Sequence, residues 1–203
     1  TNAISSYAAA LLSCCLAVQR QKHCGETYID STPLPVCKIR RASMHRVCSG
    51  LASRSKTTTG WFYGFKLHAV CNPYGQLLSV QFTTGNTDDR SPVETLLHDL
   101  SGLVVADAGY LSQALQHNLA DQDITFFAAV RKNMKKVMTP EQHATCKRRQ
   151  RIETVFSVLK ERMGMVSSLS RSPFGHFARY VATLLAYCLR PFSKATKLQL
   201  GVS

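Results

Sequence analysis

The fold is most readily inferred from Leu103-Val104-Val105-Ala106-Asp107, an apolar run that ends in an acid. Such a run, bounded by turn signals, predicts a strand buried on both faces, as in the parallel part of an α/β sheet. Gly109 then lets the chain turn sharply. Asp107 is therefore expected at the carboxyl end of a buried strand, the edge where α/β proteins usually build sites. Taken alone, it is equally explained as a turn former.

Four further strands are predicted around this one, at residues 26–30, 61–71, 77–83 and 124–130. The first should stop at Ser31-Thr32-Pro33, and Asn72-Pro73-Tyr74-Gly75 should close a hairpin. Helices are predicted at residues 91–100, 112–119, 150–163 and 176–189, with an apolar first helix around residues 8–18 packed on the domain. Residues 37–60 read as a basic connection.

This order predicts an α/β fold with a mixed five-stranded sheet flanked by helices, which is the element order of the ribonuclease H fold. The 203 residues suffice for one substantial domain. We expect a helix or remnant segment at 1–25, a catalytic domain at 26–192 and a tail at 193–203.

The formal net charge of +13 is clustered. Residues 31–87 hold seven Lys and Arg and no acid, and residues 124–152 hold eight bases against Glu141 alone. Basic blocks inside a foldable domain indicate a polyanionic partner, of which nucleic acid is the commonest. A merely solvated basic surface is the alternative.

The eight cysteines are irregularly spaced and include no Cys-x-x-Cys. Cys24, Cys37 and Cys48, with His23 or His45 nearby, match no zinc ribbon or finger, so reduced thiols are the simpler interpretation. The first apolar stretch is too short to cross a bilayer. Together these features favour a protein of the cytoplasm.

Asp30 is expected at the end of the first strand, beside Asp107 if the two strands are parallel neighbours. Two close carboxylates repel, and a divalent cation between them removes the conflict. Hard oxygen ligands favour Mg²⁺ or Mn²⁺. Asp30 before Ser-Thr-Pro is also readily explained as a turn residue.

Glu153 supplies a third carboxylate, from a helix. On a helical wheel Arg149, Glu153 and Lys160 form one row beside an apolar stripe made by Ile152, Val155, Phe156, Leu159 and Met163. The helix can thus bury its stripe and hold the row along the rim of the sheet. A surface ion pair between Glu153 and Arg149 is the alternative.

Several stretches resemble bacterial insertion-sequence transposases of the Asp-Asp-Glu type, most closely the insertion-sequence nine-eight-two family. They run from about residue 26 to 190 and are Tyr28-Ile29-Asp30-Ser31-Thr32-Pro33-Leu34, Gly64-Phe65-Lys66-Leu67-His68, Thr84-Gly85-Asn86-Thr87-Asp88-Asp89-Arg90, Ala106-Asp107-Ala108-Gly109-Tyr110 and Arg151-Ile152-Glu153-Thr154-Val155-Phe156. The resemblance implies a ribonuclease H-like fold and a catalytic, metal-binding triad of Asp30, Asp107 and Glu153.

Relatives carry a Tyr-x-x-Arg-x-x-x-Glu-x-x-x-x-x-x-Lys signature, whose last three positions Arg149, Glu153 and Lys160 match. Cys146 stands where the signature has Tyr, and Ala108 stands where relatives often have Lys. A region that recognises the element's inverted repeats normally precedes such a domain, whereas here about 25 residues precede the first predicted strand.

The expected reaction is cleavage and strand transfer of DNA by two Mg²⁺ ions, with Mn²⁺ as a substitute. The expected partners are inverted-repeat ends and target DNA, bound by a homodimer near the bacterial nucleoid. Phosphate contacts are expected from Arg149 and Lys160 and from two basic clusters: Arg131, Lys132, Lys135 and Lys136; Arg148 and Arg151. Lys66 and His68 could also face the site, while Asp88 and Asp89 should shape a turn. The rival hypotheses are another nuclease of the same fold and a non-catalytic DNA-binding remnant.

Overall fold

The computed structural model describes residues 2–22, 25–128, 140–166 and 170–190, which form six strands and five α-helices. The helices are α1 (Asn2–Gln21), α2 (Val93–Leu97), α3 (Gln113–Ala120), α4 (Pro140–Ser157) and α5 (Pro173–Leu189). The strands are β1 (Glu26–Cys37), β2 (Ser53–Thr57), β3 (Gly60–Cys71), β4 (Leu77–Thr84), β5 (Gly102–Ala106) and β6 (Ile124–Ala128). Short 3₁₀ helices occur at Ile39–Met44 and Ala108–Tyr110, and α4 continues into a π-helix at Val158–Arg162.

All six strands join one mixed sheet. β1, β5 and β6 are parallel neighbours, and β3 is antiparallel to β1, β2 and β4. Because β1 occupies one edge of β3, both β4 and β2 pair with its other edge. The order β4-β3-β1-β5-β6 is that of the ribonuclease H fold, which confirms the predicted fold class.

β2 is a sixth strand that the sequence analysis did not predict, since residues 37–60 were expected to be a connection. Its side chains alternate between half-buried and exposed. An edge strand with one solvated face needs no apolar residue on that face. The polar composition Ser-Arg-Ser-Lys-Thr therefore looked like a loop.

β1 is longer than predicted and passes through Pro33 and Pro35 to Cys37. Proline lacks a backbone donor and is tolerated only where one side of a strand is unpaired. β5 pairs with β1 only at Glu26, Thr27 and Tyr28, so the two prolines lie beyond that ladder. The prediction that Asp30 ends the strand was wrong, but Asp30 does lie just beyond the pairing with β5.

The sheet separates two hydrophobic layers, and β1 alternates between them. Tyr28 and Leu34 face a core shared with α1, α4 and α5, whereas Ile29 faces a core shared with α2 and α3. The Nε of Arg20 in α1 donates to the carbonyl oxygen of Leu78 at 2.7 Å. The expectation that the first helix packs on the domain is confirmed. Asp30 is in phase with Tyr28, and its side chain therefore faces α4.

The remaining elements are those predicted, although several of their bounds differ. Ser112 caps α3 by accepting from the backbone N–H of Leu115, and the 72–75 turn closes through a 2.9 Å bond from Gly75 N–H to the Asn72 carbonyl. α2 is only five residues long, and Ser91 does not cap it. α4 begins ten residues before the predicted start at residue 150.

Candidate active site

The first two acids of the predicted triad meet at the edge where β5 leaves β1. The parallel ladder between the two strands ends at Tyr28 and Val105, and two further residues along the chain from each lead to Asp30 and Asp107. In-register neighbours in a parallel sheet point to the same face. Asp107 directly follows β5 and is exposed, so its carboxylate lies at the mouth of the site.

Arg149 connects the third acid to the first. Its Nη1 donates to Asp30 Oδ2 at 2.8 Å, and its Nη2 donates to Glu153 Oε1 at 3.1 Å. Asp30 Oδ2 and Glu153 Oε1 therefore bind the two terminal nitrogens of one guanidinium group. The side chain of Arg149 is only 14% exposed, whereas that of Glu153 is 56% exposed. A helix from residues 140–157 thus delivers Glu153 to the rim that holds the two strand acids.

Burial makes the negative charge of Asp30 costly. The loss of water around it raises the pKa of Asp30 to about 6, although Arg149 and the Ser31 backbone N–H stabilise the charged form, and nearby Asp107 adds to the rise. Burial opposes the charged state of Arg149, but the charges of Asp30 and Asp107 raise its pKa overall. Arg149 therefore lies in the electrostatic field of all three acids and only partly compensates the buried one.

The donor set fits a hard divalent cation better than a soft one, because carboxylate oxygens are the ligands that Mg²⁺ and Mn²⁺ prefer. Among the described residues the three carboxylates do not all lie within 4.8 Å of one another, since Arg149 stands between Asp30 and Glu153. A shared ion would require the exposed Glu153 side chain to leave Arg149 and turn toward Asp30. The incompletely compensated charge of Asp30 favours a further cation there. The triad assignment stays a prediction.

Lys160 lies close to the same rim, but not by the helical geometry predicted for it. From Val158 the helix widens into a π-helix, closed by a 3.0 Å bond from Met163 N–H to the Val158 carbonyl. The prediction of a regular α-helix to residue 163 was wrong from this point. Lys160 Nζ donates to Thr32 Oγ1 at 3.1 Å, and Thr32 is two residues along β1 from Asp30. π-Helical turns occur often at functional sites.

The apolar stripe of this helix is confirmed. The side chains of Ile152, Val155, Phe156 and Leu159 are buried against the sheet, and Met163 packs against them. The stripe fixes the rotation of α4 and so holds Arg149 over β1.

Of the other predicted DNA-binding residues, the two that the structure describes do not gather at the triad. Arg148 is 49% exposed and pairs through Nε with Glu26 Oε1 at 3.0 Å, where the Tyr28 hydroxyl also donates at 3.0 Å. Arg151 is exposed and lies beside Gly75, on the side of the β3–β4 turn. Arg131, Lys132, Lys135 and Lys136 lie outside the described residues.

Lys66 and His68 belong to a separate polar group. His68 pairs with Ser31, one residue out of phase with Asp30, and is fully buried with Nε2 2.8 Å from Thr83 Oγ1. Burial and the charge of Lys66 lower its pKa to about 4, although Asp89 opposes this, so the ring is neutral at pH 7. Lys66 Nζ donates to Asp89 Oδ1 at 2.9 Å and to the Thr87 carbonyl at 2.8 Å. These residues therefore fix the turn at 84–90.

Asp88 also shapes that turn, as predicted: its carboxylate accepts from the backbone, Nε and Nη2 of Arg90.

Two residues that depart from the transposase signature lie at the triad itself. Cys146 lies near Arg149 and Asp107, burial being the main reason that its pKa is raised. Ala108 begins the 3₁₀ turn directly after Asp107.

The fold and these acids define a ribonuclease H-like domain with an acidic site at the edge of its central strands. The family described as "transposase DDE domain" matches residues 20–173, and the chain belongs to this family.

Two solved structures are similar to the chain at low identity. The piggyBac transposase synaptic complex with hairpin DNA has a TM-score of 0.48 and 10% identity, covering 89% of this chain and 52% of that chain. The simian T-cell lymphotropic virus intasome, in complex with the PP2A regulatory subunit B56 gamma, has a TM-score of 0.45 and 16% identity, covering 89% and 55%. The chain thus spans about half the length of these solved chains. No curated protein matches it. None of the helices in its described part is both long and apolar enough to cross a membrane.

Proposed function

We propose that this chain is the catalytic domain of a bacterial insertion-sequence transposase, which cuts DNA at the ends of the element and joins the freed 3′-hydroxyl to target DNA. Family membership supports the reaction class. One observation carries the assignment to residues: Arg149 pairs with Asp30 and Glu153 together, beside the strand end that leads to Asp107. Two acids from distant segments thus share one cation, and the third follows the strand end beside them.

In this proposal Asp30, Asp107 and Glu153 hold two divalent ions, with Mg²⁺ preferred and Mn²⁺ as a substitute. When bound, such ions activate water or a DNA hydroxyl as nucleophile and stabilise the leaving oxygen of the phosphodiester. Asp30 is the most buried ligand and supplies a charge that the protein alone does not fully compensate. The carboxylates must be deprotonated to act as ligands, so the site favours pH values above about 6.

Arg149 has a second task once the acids have another cation. Its guanidinium is then released from Asp30 and Glu153 and can make a paired contact with the scissile phosphate, for which its planar fork is suited. Lys160, held near the rim by Thr32, offers a second positive charge to the same phosphate. Both side chains therefore orient the DNA strand and offset its charge, without forming a covalent bond to it.

The DNA on either side of the scissile phosphate follows the basic clusters. Arg148 and Arg151 are exposed and flank Arg149, and Arg131, Lys132, Lys135 and Lys136 add four positive charges in the sequence before α4. Lys and Arg contacts to phosphates position DNA without reading its sequence. Because transposition pairs the two ends of an element, the active form is proposed to be a homodimer on DNA, in the bacterial cytoplasm.

The proposal is tested with DNA that carries the inverted repeats flanking the gene, incubated with Mg²⁺ or Mn²⁺. The wild-type chain should cut one strand next to the repeat and join it to a target plasmid. Asp107→Asn should bind the same DNA but cut it at least about 100-fold more slowly, since loss of a group that stabilises transition-state charge costs about that much or more.

Asp121→Asn is the matched control, because Asp121 is an exposed acid at the end of α3, outside the site. Cleavage at the wild-type rate by Asp107→Asn would refute the assignment. Cleavage without joining would instead identify a nuclease of the same fold, and metal-independent binding without cleavage would identify a non-catalytic remnant.

A further inference from the structure

A second cluster of metal-ligand side chains lies apart from the acidic rim. It consists of His45, Cys48 and His176, each of which offers a ligand atom within 4.8 Å of the other two. Among the described residues it is the only group of three or more His, Cys, Asp or Glu side chains this close together. His45 and Cys48 follow the 3₁₀ helix after β1, and His176 lies in the first turn of α5.

Burial makes this cluster unusual. Cys48 is fully buried and His176 is only 2% exposed. Nδ1 of His176 and Nε2 of His45 are both buried without a hydrogen-bond partner. A buried polar atom left unpaired is destabilising, so two such atoms in one cluster point to a missing ligand.

The backbone around Cys48 is held in place. Its carbonyl oxygen accepts from the backbone N–H groups of Leu51 and Ala52, at 3.2 and 2.9 Å, and from the Tyr63 hydroxyl at 3.3 Å. At the other side of the cluster, Ser172 caps α5 by accepting from the Gly175 N–H at 3.0 Å. Both contributing segments are thus fixed before any ion binds.

We propose that His45, Cys48 and His176 bind one Zn²⁺ ion, through Nε2, Sγ and Nδ1 respectively. Two imidazole nitrogens and a thiolate are the ligands of tetrahedral zinc sites and are too soft for Mg²⁺. Binding releases the thiol proton of Cys48 to solvent and forms the Zn–S bond, with no change in oxidation state.

The fourth ligand comes from Cys37 or from a water molecule. Cys37, His45 and His176 line one cavity of about 910 Å³, which gives an ion access from solvent. Cys37 lines this cavity but does not belong to the group of three with ligand atoms within 4.8 Å of one another, so its side chain would have to turn toward the ion to bind it. The site is therefore either Cys₂His₂ or CysHis₂ with water.

Zinc here joins segments that are 128 residues apart, since His45 and Cys48 precede β2 and His176 begins α5. The ion thus holds the basic turn after β1 against the helical layer. Its role in this proposal is structural, because the cluster contains none of the acids assigned to DNA cleavage.

The test measures metal content and cobalt absorption on the whole purified chain. The wild type should hold one zinc per chain. After zinc is replaced by Co²⁺, it should show tetrahedral d–d absorption in the visible range and a thiolate-to-cobalt band in the near ultraviolet. Cys48→Ser and His176→Gln should each lower zinc affinity by at least roughly tenfold. Loss of a residue that only supports a metal ligand already costs about that much, and loss of a ligand should cost no less. If Cys37→Ser alters the cobalt spectrum, Cys37 is the fourth ligand; if it does not, water is.

Three controls keep the test specific. Cys14→Ser and His98→Gln change an exposed thiol and an exposed imidazole outside the cluster and should leave the zinc content unchanged. Asp107→Asn should also leave it unchanged, which separates this site from the proposed catalytic one. If Cys48→Ser does not fold, the half-buried His45→Gln serves in its place. The proposal is overturned if the wild type holds no more zinc than these ligand variants, or if its cobalt complex lacks the thiolate band.

Discussion

Replacing the buried acid of the candidate site should make the protein more stable. Asp30 has a pKa of about 6 in the fold against 3.8 for an unperturbed group, and its side chain is 22% exposed. A group with a raised pKa favours its protonated form on folding, so its contribution to stability is greatest below the unfolded pKa. This contribution is lost as the pH rises through about 6. Asp30→Asn keeps the shape and removes the charge.

The size of the effect follows from the pKa shift. One pKa unit corresponds to about 1.4 kcal/mol, so a shift of about two units gives up to about 3 kcal/mol at pH 8. For a chain of this size that raises the melting temperature by about 6–12 °C. At pH 5 Asp30 is ionised in the unfolded chain but still largely protonated in the fold. The stability gain of Asp30→Asn over the wild type should therefore fall to about half of its value at pH 8.

The assay is thermal unfolding of wild type and Asp30→Asn between pH 8 and pH 5, in buffer without Mg²⁺ or Mn²⁺. Asp88→Asn is the control, because hydrogen bonds from Arg90 lower the pKa of Asp88 to about 2. Removing this charge should therefore slightly destabilise the protein at pH 8. If Asp30→Asn is less stable than wild type at pH 8, or if its gain does not change with pH, the reasoning about the buried charge is refuted.

Three further outcomes are expected. Gly64→Ala should lower stability by about 1–3 kcal/mol, because the added Cβ would overlap the Leu34 carbonyl. Gly109→Ala is the control and should not lower stability, because there is open space around its new methyl group. Equal melting temperatures of the two variants would contradict this prediction. Arg149→Lys should slow DNA cleavage about tenfold or more, since an ammonium lacks the planar fork proposed to make a paired contact with the scissile phosphate, and wild-type kinetics would exclude that role. DNA affinity should fall steeply with salt, with a slope of about 0.9 per phosphate contact, and a flat response in a filter-binding titration would argue against the basic clusters as the DNA surface.

The sequence predicted the sheet and its two faces well because period-two alternation and apolar runs are local signals. It failed where the deciding partner was distant. Pro33 and Pro35 suggested the end of β1, yet β1 continues because β5 no longer pairs with it there. β2 was missed because an exposed edge strand has the composition of a loop.

The candidate site shows the same division. Helical spacing predicted that Arg149 and Glu153 lie on one side of α4, but the π-helix that carries Lys160 gave no recognisable signal. That Arg149 would bridge Asp30 and Glu153 required knowing how α4 crosses β1. His45 and Cys48 were considered as zinc ligands and set aside on spacing, since nothing local links them to His176.

Iron-directed backbone cleavage shows whether the three acids bind one metal ion, because Fe²⁺ can replace Mg²⁺ among carboxylates and, with ascorbate and peroxide, cuts the chain beside its ligands. Fragments should end near residues 30, 107 and 153 together. They should be suppressed by excess Mg²⁺, lost in Asp107→Asn and kept in Asp121→Asn. Cuts near only one of these positions, or a pattern that Asp107→Asn leaves intact, would contradict the claim that the three acids form one metal site.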